Sequence, residues 1–290
     1  MTAHVLQWVL SELASQRRVV MATVLNTSGS VPGKTGARLA MSSHEHTWVG
    51  TVGGAGLEHR VLQRCRELLE DASQPFAEVL TYGLNKGAKG YEVTPLDSLC
   101  GGRVSIAVEV MIPMPHVHIM GGGHCGEALA TTLHALGWDY SVHDTRDAYV
   151  SEDKFPNAVE RSSASVAGVL EGETAATLGR FSDILLLGHD WAEDQERLLG
   201  LLQLLNQPDA ALDGNHHPRI GVIGSRSKWQ AFEEAARKEG VPQTLLDQVI
   251  CPIGLNIGAQ SPEEIAVAVA AQILSLHKSV DPTSTTWRQA

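Results

Sequence analysis

Residues 116–146, HVHIMGGGHCGEALATTLHALGWDYSVHDTR, constrain the fold more than any other stretch of the chain. They read as strand, glycine turn, helix, strand and terminal acid. His116 to Met120 supply the first strand, and Gly121, Gly123 and Gly126 form G-x-G-x-x-G. Leu129, Leu133 and Leu136 share one helix face, Gly137 closes that helix, and Asp144 ends the next strand. In this order the glycines let a pyrophosphate approach the backbone. The helix N-terminus presents unpaired N–H groups and a positive dipole end, and the acid stands where ribose hydroxyls bind. The spacing predicts a Rossmann-type βαβ unit, yet residues 1–115 precede it, so it accounts for only part of the protein.

The chain after residue 116 keeps an α/β rhythm. FSDILLLG (181–188) is the continuous apolar run of a buried parallel strand, followed by a helix over 191–205. RIGVIG (219–224) is another strand, with a helix over 228–239 stopped by Gly240. S-P-E-E (261–264) forms a capping box with Pro262 in the first turn, opening an apolar helix to about Leu276. The first half is built differently. Val5, Val9 and Leu13 mark one side of an N-terminal amphipathic helix. A strand over 18–26 leads into the glycine-rich loop TSGSVPGKTGA (27–37) and the short run RLAMS. HTWVGTVGGAG (46–56) gives a strand and a second glycine turn; a charged helix over 57–71 and a strand over 76–82 follow. Val104, Ile106, Val108, Val110 and Ile112 then alternate along a strand until Pro113 and Pro115 punctuate the chain. The fold class is therefore α/β. An N-terminal mixed α/β domain is expected over 1–113, a Rossmann-like domain with a mostly parallel sheet over 114–278, and a disordered tail over 279–290.

Composition narrows the function classes. The net charge of −11, with no basic run, argues against nucleic acid as a partner. No stretch reaches the roughly 18–20 apolar residues of a membrane span. The N-terminus lacks a positive region ahead of an apolar core, so the cytoplasm is the expected location and no membrane partner is expected. Cys65, Cys100, Cys125 and Cys251 are scattered without C-x-x-C, which argues against a disulfide framework or structural zinc. His44/His46, His116/His118 and His216/His217 are pairs without a third ligand, so no metal held by protein ligands is expected.

Several loops carry candidate chemistry. GKTG (33–36) is not a P-loop: the first glycine of that motif would fall on Ser28, Pro32 removes a donor, and no helix follows. The loop can still line a pocket. Gly53 and Gly54, between strand and helix, read equally well as an anion cradle or a tight turn. Cys100-Gly101-Gly102-Arg103 enters a strand; Arg103 beside the thiol favours thiolate, whereas most free cysteines are small core residues. His189 and Asp190 follow a strand end. Asp190 is expected to cap the next helix with Glu193 as its box partner, leaving His189 freer. Ser225-Arg226-Ser227-Lys228 sets two hydroxyls and two cations at a helix start, a pattern suited to phosphate or to ordinary capping.

Together, GTVGGAGLEH (50–59), SLCGGRV (98–104), HVHIMGGGHCGEALA (116–130), GHD (188–190), GVIGSRSK (221–228) and CPIGLNIGAQSPEEIAVAVAAQIL (251–274) occur in an order that resembles the XdhC/CoxI family, accessory proteins of xanthine dehydrogenase and related molybdenum hydroxylases. The resemblance runs from about Val19 to Leu276, and its closing block is the most specific part. It implies a non-catalytic maturation factor, often a homodimer, that binds molybdenum cofactor as molybdopterin or its cytosine dinucleotide form. Such a protein holds the cofactor while a cysteine desulfurase installs the terminal sulfido ligand, then passes it to an apo molybdenum hydroxylase. The cofactor-binding residues it implies, set beside the loops above, are Gly53, Gly54, Cys100, Gly101, Gly102, Arg103, Gly121, Gly123, Gly126, Asp144, His189, Ser225 and Arg226, with Cys100 near Mo. The chain departs from the family pattern at Gly33, where many relatives carry Arg; at Ala55, where many carry Cys or Gly; and at Leu99-Cys100, where some have two cysteines.

Two other readings stand beside it. Gly121, Gly123, Gly126 and Asp144 also suit an NAD(P)-dependent oxidoreductase; Asp144 favours NAD, whereas Arg146 leaves NADP open. Against that reading, no Tyr-Lys pair or other proton-transfer set accompanies them. A regulatory nucleotide sensor needs the same glycines and no catalytic set.

Overall fold

Apolar residues alternate along 104–112 and run unbroken along 184–187, and the computed structural model places these two runs in two kinds of sheet. It describes residues 2–71, 75–84, 93–96, 101–207 and 217–284. Leu99, Cys100, His216 and residues 285–290 of the expected tail lie outside them. The chain divides into a unit of Met1–Pro113 and a unit of Met114–Ala290.

In the first unit, helix α1 (Thr2–Ala14) precedes strands β1 (Val19–Ser28), β2 (Arg38–Ser42) and β3 (Trp48–Gly50). Helix α2 (Ala55–Asp71) leads to β4 (Phe76–Gly83), β5 (Val93–Pro95) and β6 (Arg103–Met111). The sheet order is β3-β2-β1-β6-β4-β5, antiparallel except for the β4–β5 pair. One face buries Val20, Ala22 and Val24 of β1, Leu39 and Met41 of β2, and Val104, Ile106, Val108 and Val110 of β6 against Leu57, Val61, Cys65 and Leu68 of α2. The other face sets Val19, Met21 and Ala40 under Val5 and Val9 of α1. β1 is thus covered on both sides, which is why its sequence is apolar without alternation. Burial pushes the Cys65 thiol up to about 12, so it acts as a small core hydrophobe.

The second unit opens with β7 (His116–Met120), α3 (His124–Ala135), β8 (Asp139–His143) and β9 (Arg161–Ser162). Helices α4 (Val166–Leu170) and α5 (Ala175–Leu178) lead to β10 (Asp183–Leu186) and α6 (Trp191–Leu205). Then come β11 (Arg219–Val222), α7 (Arg226–Lys238), α8 (Gln243–Leu246) and α9 (Pro262–His277). The sheet order is β11-β10-β7-β8-β9, every pair parallel. α3 and α9 cover one face; α6 and α7 cover the other. The strand order reverses between β7 and β10, where sheets of this kind open a ligand crevice beyond their carboxyl ends. α9 starts with a reciprocal box between Ser261 and Glu264 and has Pro262 in its first turn. α7 begins at Arg226, two residues ahead of the expected start, because Ser225 caps it through the Lys228 N–H. Of the expected tail, 279–284 hold local turn bonds: the Val280 N–H donates to Ser275, and the Asp281 carboxylate accepts from Thr283. Among the described residues, no helix is long and apolar enough to cross a membrane.

A buried polar stripe runs across this parallel sheet. His116 and His118 lie on one face of β7, with Ser141 and His143 beside them in register on β8. His118 stacks on Phe181 at 4.7 Å, and His116 meets the same ring edge-on at 4.9 Å. His116 Nε2 contacts Ser141 Oγ at 2.9 Å, whereas Nδ1 of His118 and of His143 has no hydrogen-bond partner among the described residues. Burial, reinforced by His143 and Arg180, lowers His118 from 6.5 to about 3, and burial lowers His116 and His143 in the same direction. Below pH 6.5 the unfolded chain therefore takes up protons that folded His118 refuses down to about pH 3. Stability falls as the pH falls through that window, by up to about 1.4 kcal/mol per pH unit for this one group. Urea midpoints should decline between about pH 7 and pH 5, and His118→Phe, which keeps a ring against Phe181, should flatten the slope. An unchanged slope in that variant would move the acid lability to other groups.

Candidate functional site

Three glycine-bearing loops meet at one end of the first unit's sheet: 29–37 between β1 and β2, 51–54 ahead of α2, and 101–102 ahead of β6. Their backbones touch directly. A Cβ on Gly33 would lie 2.2 Å from the Val52 carbonyl oxygen, and one on Gly53 (φ +132°) would lie 2.6 Å from the Gly33 nitrogen. A Cβ on Gly102 would meet the Val31 side chain at 2.5 Å and the Ser28 and Ser30 carbonyl oxygens at 2.6 Å. Close packing in this chain thus requires glycine at 33. Gly101 and Gly54 have open space on the Cβ side, and Gly101 and Arg103 are exposed. Cys100 lies outside the described residues, and the Ala55 side chain is likewise undescribed.

The Gly53-Gly54 turn holds an anion of its own chain. The Glu58 carboxylate accepts from Thr51 Oγ1 and from the N–H groups of Val52 and Gly54, both at 3.3 Å; Thr51 Oγ1 accepts from the Gly53 N–H at 3.2 Å. These donors fix the turn, so its contribution to a ligand site is shape. Beside it lies a cavity of about 310 Å³ bordered by Val5, Pro32, Gly33, Lys34, Arg38 and Gly53. Lys34 and Arg38 do not stand out as site residues in the sequence. The signal for Arg38 is strand parity, because it shares the α1 side of β2 with Ala40.

In the second unit the glycines of G-x-G-x-x-G divide three tasks. Gly121 (φ +131°) closes the turn, and a Cβ there would lie 2.5 Å from the Leu187 carbonyl carbon. Gly126 brings α3 onto the turn, and its Cβ would lie 2.2 Å from the Gly121 oxygen. Gly123, the N-cap of α3, has open space on its Cβ side, which leaves room for a ligand to approach. Gly122, between them, is covered: a Cβ there would sit 1.9 Å from the Tyr149 carbonyl oxygen.

Asp144 is buried at the end of β8. Its Oδ2 accepts from the Gly122 N–H at 3.0 Å and from Arg146 Nη2 at 2.8 Å; its Oδ1 accepts from Arg146 Nε at 2.8 Å and from the Arg146 N–H at 3.0 Å. Burial pushes this carboxyl up, but the Arg146 guanidinium and the two backbone donors outweigh it and hold it at about 2. Arg146 in turn lies 3.6 Å over the Tyr149 ring, and Lys154 bonds Glu127 of α3 at 2.8 Å. The expected ribose acid thus has a protein cation on both oxygens, and residues 146–155 lie along the glycine loop.

Asp190 caps α6, accepting from the Ala192 and Glu193 N–H groups at 2.7 and 3.1 Å. Glu193 does not close the expected capping box. It accepts instead from Thr145 Oγ1 at 2.8 Å and from Arg197 Nη2 at 3.0 Å, because the buried arginine beside it demands a second carboxylate. Arg197 also donates to Asp194 at 3.0 Å, and Lys228 Nζ reaches Asp194 at 2.7 Å and the Ile223 carbonyl at 3.2 Å. This corrects the expectation of two cations for an anion at 225–228: Lys228 is turned inward as a counter-ion, and Ser225 Oγ is taken by the Lys228 N–H at 3.3 Å. Ser225, Arg226 and His189 are exposed. Gly188 lies against this network, since a Cβ there would sit 2.1 Å from Asp194 Oδ1. Among the described residues, no three His, Cys, Asp or Glu side chains gather where they could hold a metal ion.

Comparison with known proteins adds family information to this geometry. Residues 12–83 match the XdhC and CoxI family, and residues 117–273 match the XdhC Rossmann domain. The chain is 28% identical over 256 residues to the uncharacterized protein YqeB of Escherichia coli, covering 88% of this chain and 43% of that protein. It is 26% identical over 176 residues to a probable xanthine dehydrogenase subunit of Bacillus subtilis, covering 58% of this chain and 44% of that one. The chain therefore spans less than half the length of the curated relatives it matches. Among solved structures, a xanthine dehydrogenase from Bacillus halodurans aligns over 97% of this chain and 98% of its own, with 20% identity and a TM-score of 0.47.

The contact at Gly126 supplies a direct check on the glycine loop. Its φ lies outside the left-handed region, so Gly126→Ala tests packing alone. The added methyl meets backbone rather than a movable side chain, and about 2–4 kcal/mol of stability should be lost. Gly123→Ala, with open space around it, should cost less than about 1 kcal/mol. Equal urea midpoints for the two variants would contradict the assigned roles.

Proposed function

The chain belongs to the XdhC family, and from that premise we propose that it binds molybdenum cofactor and delivers it to an apo molybdenum hydroxylase of the xanthine dehydrogenase type. One observation carries the reading: both halves of the chain match this family in order, and one relative is itself described as a probable xanthine dehydrogenase subunit. The proposal extends to sulfuration of the held cofactor by a cysteine desulfurase, to a homodimer, and to molybdopterin or its cytosine dinucleotide form as the cargo. When bound, the cofactor supplies the metal centre on which the client hydroxylase works.

The donor set is compatible with such a group. A pterin is flat and carries phosphate, and the first unit offers a cavity walled by glycine backbone with two cations on its border. Gly101 is exposed next to Cys100, which remains the proposed thiol near Mo. Taken by itself, the second unit offers an anion the first turn of α3 at the open side of Gly123. In this reading Glu58 shapes the first site, and Arg197 with Asp194 braces the second unit; neither contacts the cargo. The decisive experiment is purification of the protein from a molybdenum-replete host, followed by metal analysis and oxidation of released pterin to its fluorescent form. Copurifying or bindable molybdopterin, with transfer to an apo-hydroxylase, is the expected result. Its absence, together with normal maturation of the hydroxylase in a strain lacking this protein, would overturn the proposal.

A nicotinamide dinucleotide is the second reading, favoured by the open approach at Gly123. Fluorescence titration with NADH and NADPH separates the two. Under this reading both forms titrate the protein, and Arg146→Ala shifts preference toward NADH because it frees Asp144 for ribose hydroxyls. No binding of either at millimolar concentration removes it.

A further inference from the structure

The cavity bordered by Lys34 and Arg38 has a property that sets it apart from the other charged places in the first unit. Arg38 Nε is buried and has no hydrogen-bond partner among the described residues. Three other arginines of this unit are matched: Arg17 with Glu12, Arg64 with Glu67 and Glu78, and Arg18 with the Leu69 carbonyl. Two carboxylates of this unit are engaged elsewhere. Glu12 accepts from Ser42 Oγ at 2.6 Å and faces Arg17, while Glu58 is held by the Thr51–Gly54 turn. Among the described residues, no Asp or Glu borders the cavity, although the chain carries a net charge of −11. Arg38 as a whole is half-buried, so its guanidinium opens on the cavity while its Nε is shut away from water with no acceptor, and an anion in the cavity would complete it.

The backbone keeps Arg38 in place. As the first residue of β2 it sits on the α1 side of the sheet, two residues ahead of Ala40, and its carbonyl accepts from the Thr51 N–H at 2.8 Å. A Cβ on Gly50 would lie 2.2 Å from that carbonyl oxygen, so the end of β3 packs tightly against the start of β2. Val5, Pro32 and Ala37 supply an apolar wall, and Lys34 adds a second, exposed cation at the rim. A volume of about 310 Å³ admits one ring system with one anionic group; it falls at the small end of ligand pockets, well below what a dinucleotide fills. A guanidinium matches two phosphate oxygens at once, and a lysine at the rim adds point charge.

We propose that this cavity binds a flat heterocycle through its phosphate, with Arg38 clasping the phosphate, Lys34 steering it, and Val5, Pro32 and Ala37 packing on the ring. The phosphate site stands on the cavity and the unmatched cation; its assignment to the phosphate end of a pterin rests on the proposed function. Isothermal titration of the full chain with cytidine 5′-monophosphate, cytidine and inorganic phosphate tests it. Cytidine monophosphate should bind most tightly, inorganic phosphate more weakly, and cytidine least. Arg38→Met should weaken the monophosphate at least about tenfold and Lys34→Met a few-fold. Arg38→Met should also fold with an unchanged or raised urea midpoint, because it removes a half-buried charge whose Nε has no partner among the described residues. Unaltered monophosphate affinity in Arg38→Met, equal affinity for cytidine, or a lowered midpoint with binding retained overturns the inference. The pterin content of the purified proteins separates the two claims. Equal molybdopterin in wild type and Arg38→Met sinks the site and leaves the function standing. Arg38-dependent monophosphate binding in a wild type that neither carries nor binds pterin, with normal maturation of the hydroxylase in a strain lacking the protein, keeps the site and sinks the function.

Discussion

Direct backbone-to-backbone contact is the constraint on which both halves of this protein depend. In the first unit Gly33 and Gly53 touch with no side chain between them, and Gly102 is seated under the Ser28 and Ser30 carbonyls. In the second, Gly121 lies on the strand end at Leu187, and Gly126 lies on Gly121. Each contact removes a layer of side chains, about the thickness a ligand needs to reach main-chain donors. The sheets behind them differ, one mixed and one parallel. The mouths are nonetheless made alike, by loops that interlock because they carry no Cβ. Burial of branched side chains behind the loops then fixes their positions, since neither sheet can shift register without turning its core residues outward.

Charge is arranged around these contacts with unequal completeness. In the second unit Glu193, Arg197, Asp194 and Lys228 form a closed chain of ion pairs in which each buried charge has a partner. Such a network holds geometry more than it adds stability, because desolvation consumes most of its Coulomb energy. It connects α6 to α7 and to Thr145 after β8, so it braces three loop ends with side chains that take no part in binding. The first unit closes its own circuits at Glu58 and Glu12 but leaves Arg38 open. Against those completed circuits, the open Arg38 guanidinium acquires its meaning.

The sequence made the local devices legible. Gly121, Gly123 and Gly126, the Ser261–Glu264 box and the alternation from Val104 to Val110 each depend on neighbours within a few residues, and each is present in the fold. What escaped depends on distant partners. Glu193 sits at the right spacing for a capping box, yet Thr145, 48 residues away, and buried Arg197 claim it. Lys228 sits at a helix start suited to phosphate, yet Asp194, 34 residues away, draws it inward. Lys34 belongs to a failed P-loop pattern, and Arg38 looks like the charged edge of a short strand. Only the closure of α1 over β2 and of the 51–53 turn over Gly33 makes a cavity there. Cys100 carries much of the weight in the sequence, and it lies outside the described residues.

The glycine signature therefore says more about scaffold than about cargo. Its first and third members are consumed by packing, and only Gly123 faces open space. The acid that would select a nicotinamide ribose already accepts four hydrogen bonds, two of them from the Arg146 guanidinium. A dinucleotide seated in the usual way must break the two guanidinium bonds and move Tyr149 from the Arg146 face, before it gains any contact of its own. A ligand that needs only a phosphate at the start of α3 meets no such cost, because the N–H groups of a helix start await an anion regardless of what Asp144 does. Competition at Asp144 thus weights this unit against a dinucleotide that presents a ribose to the second strand.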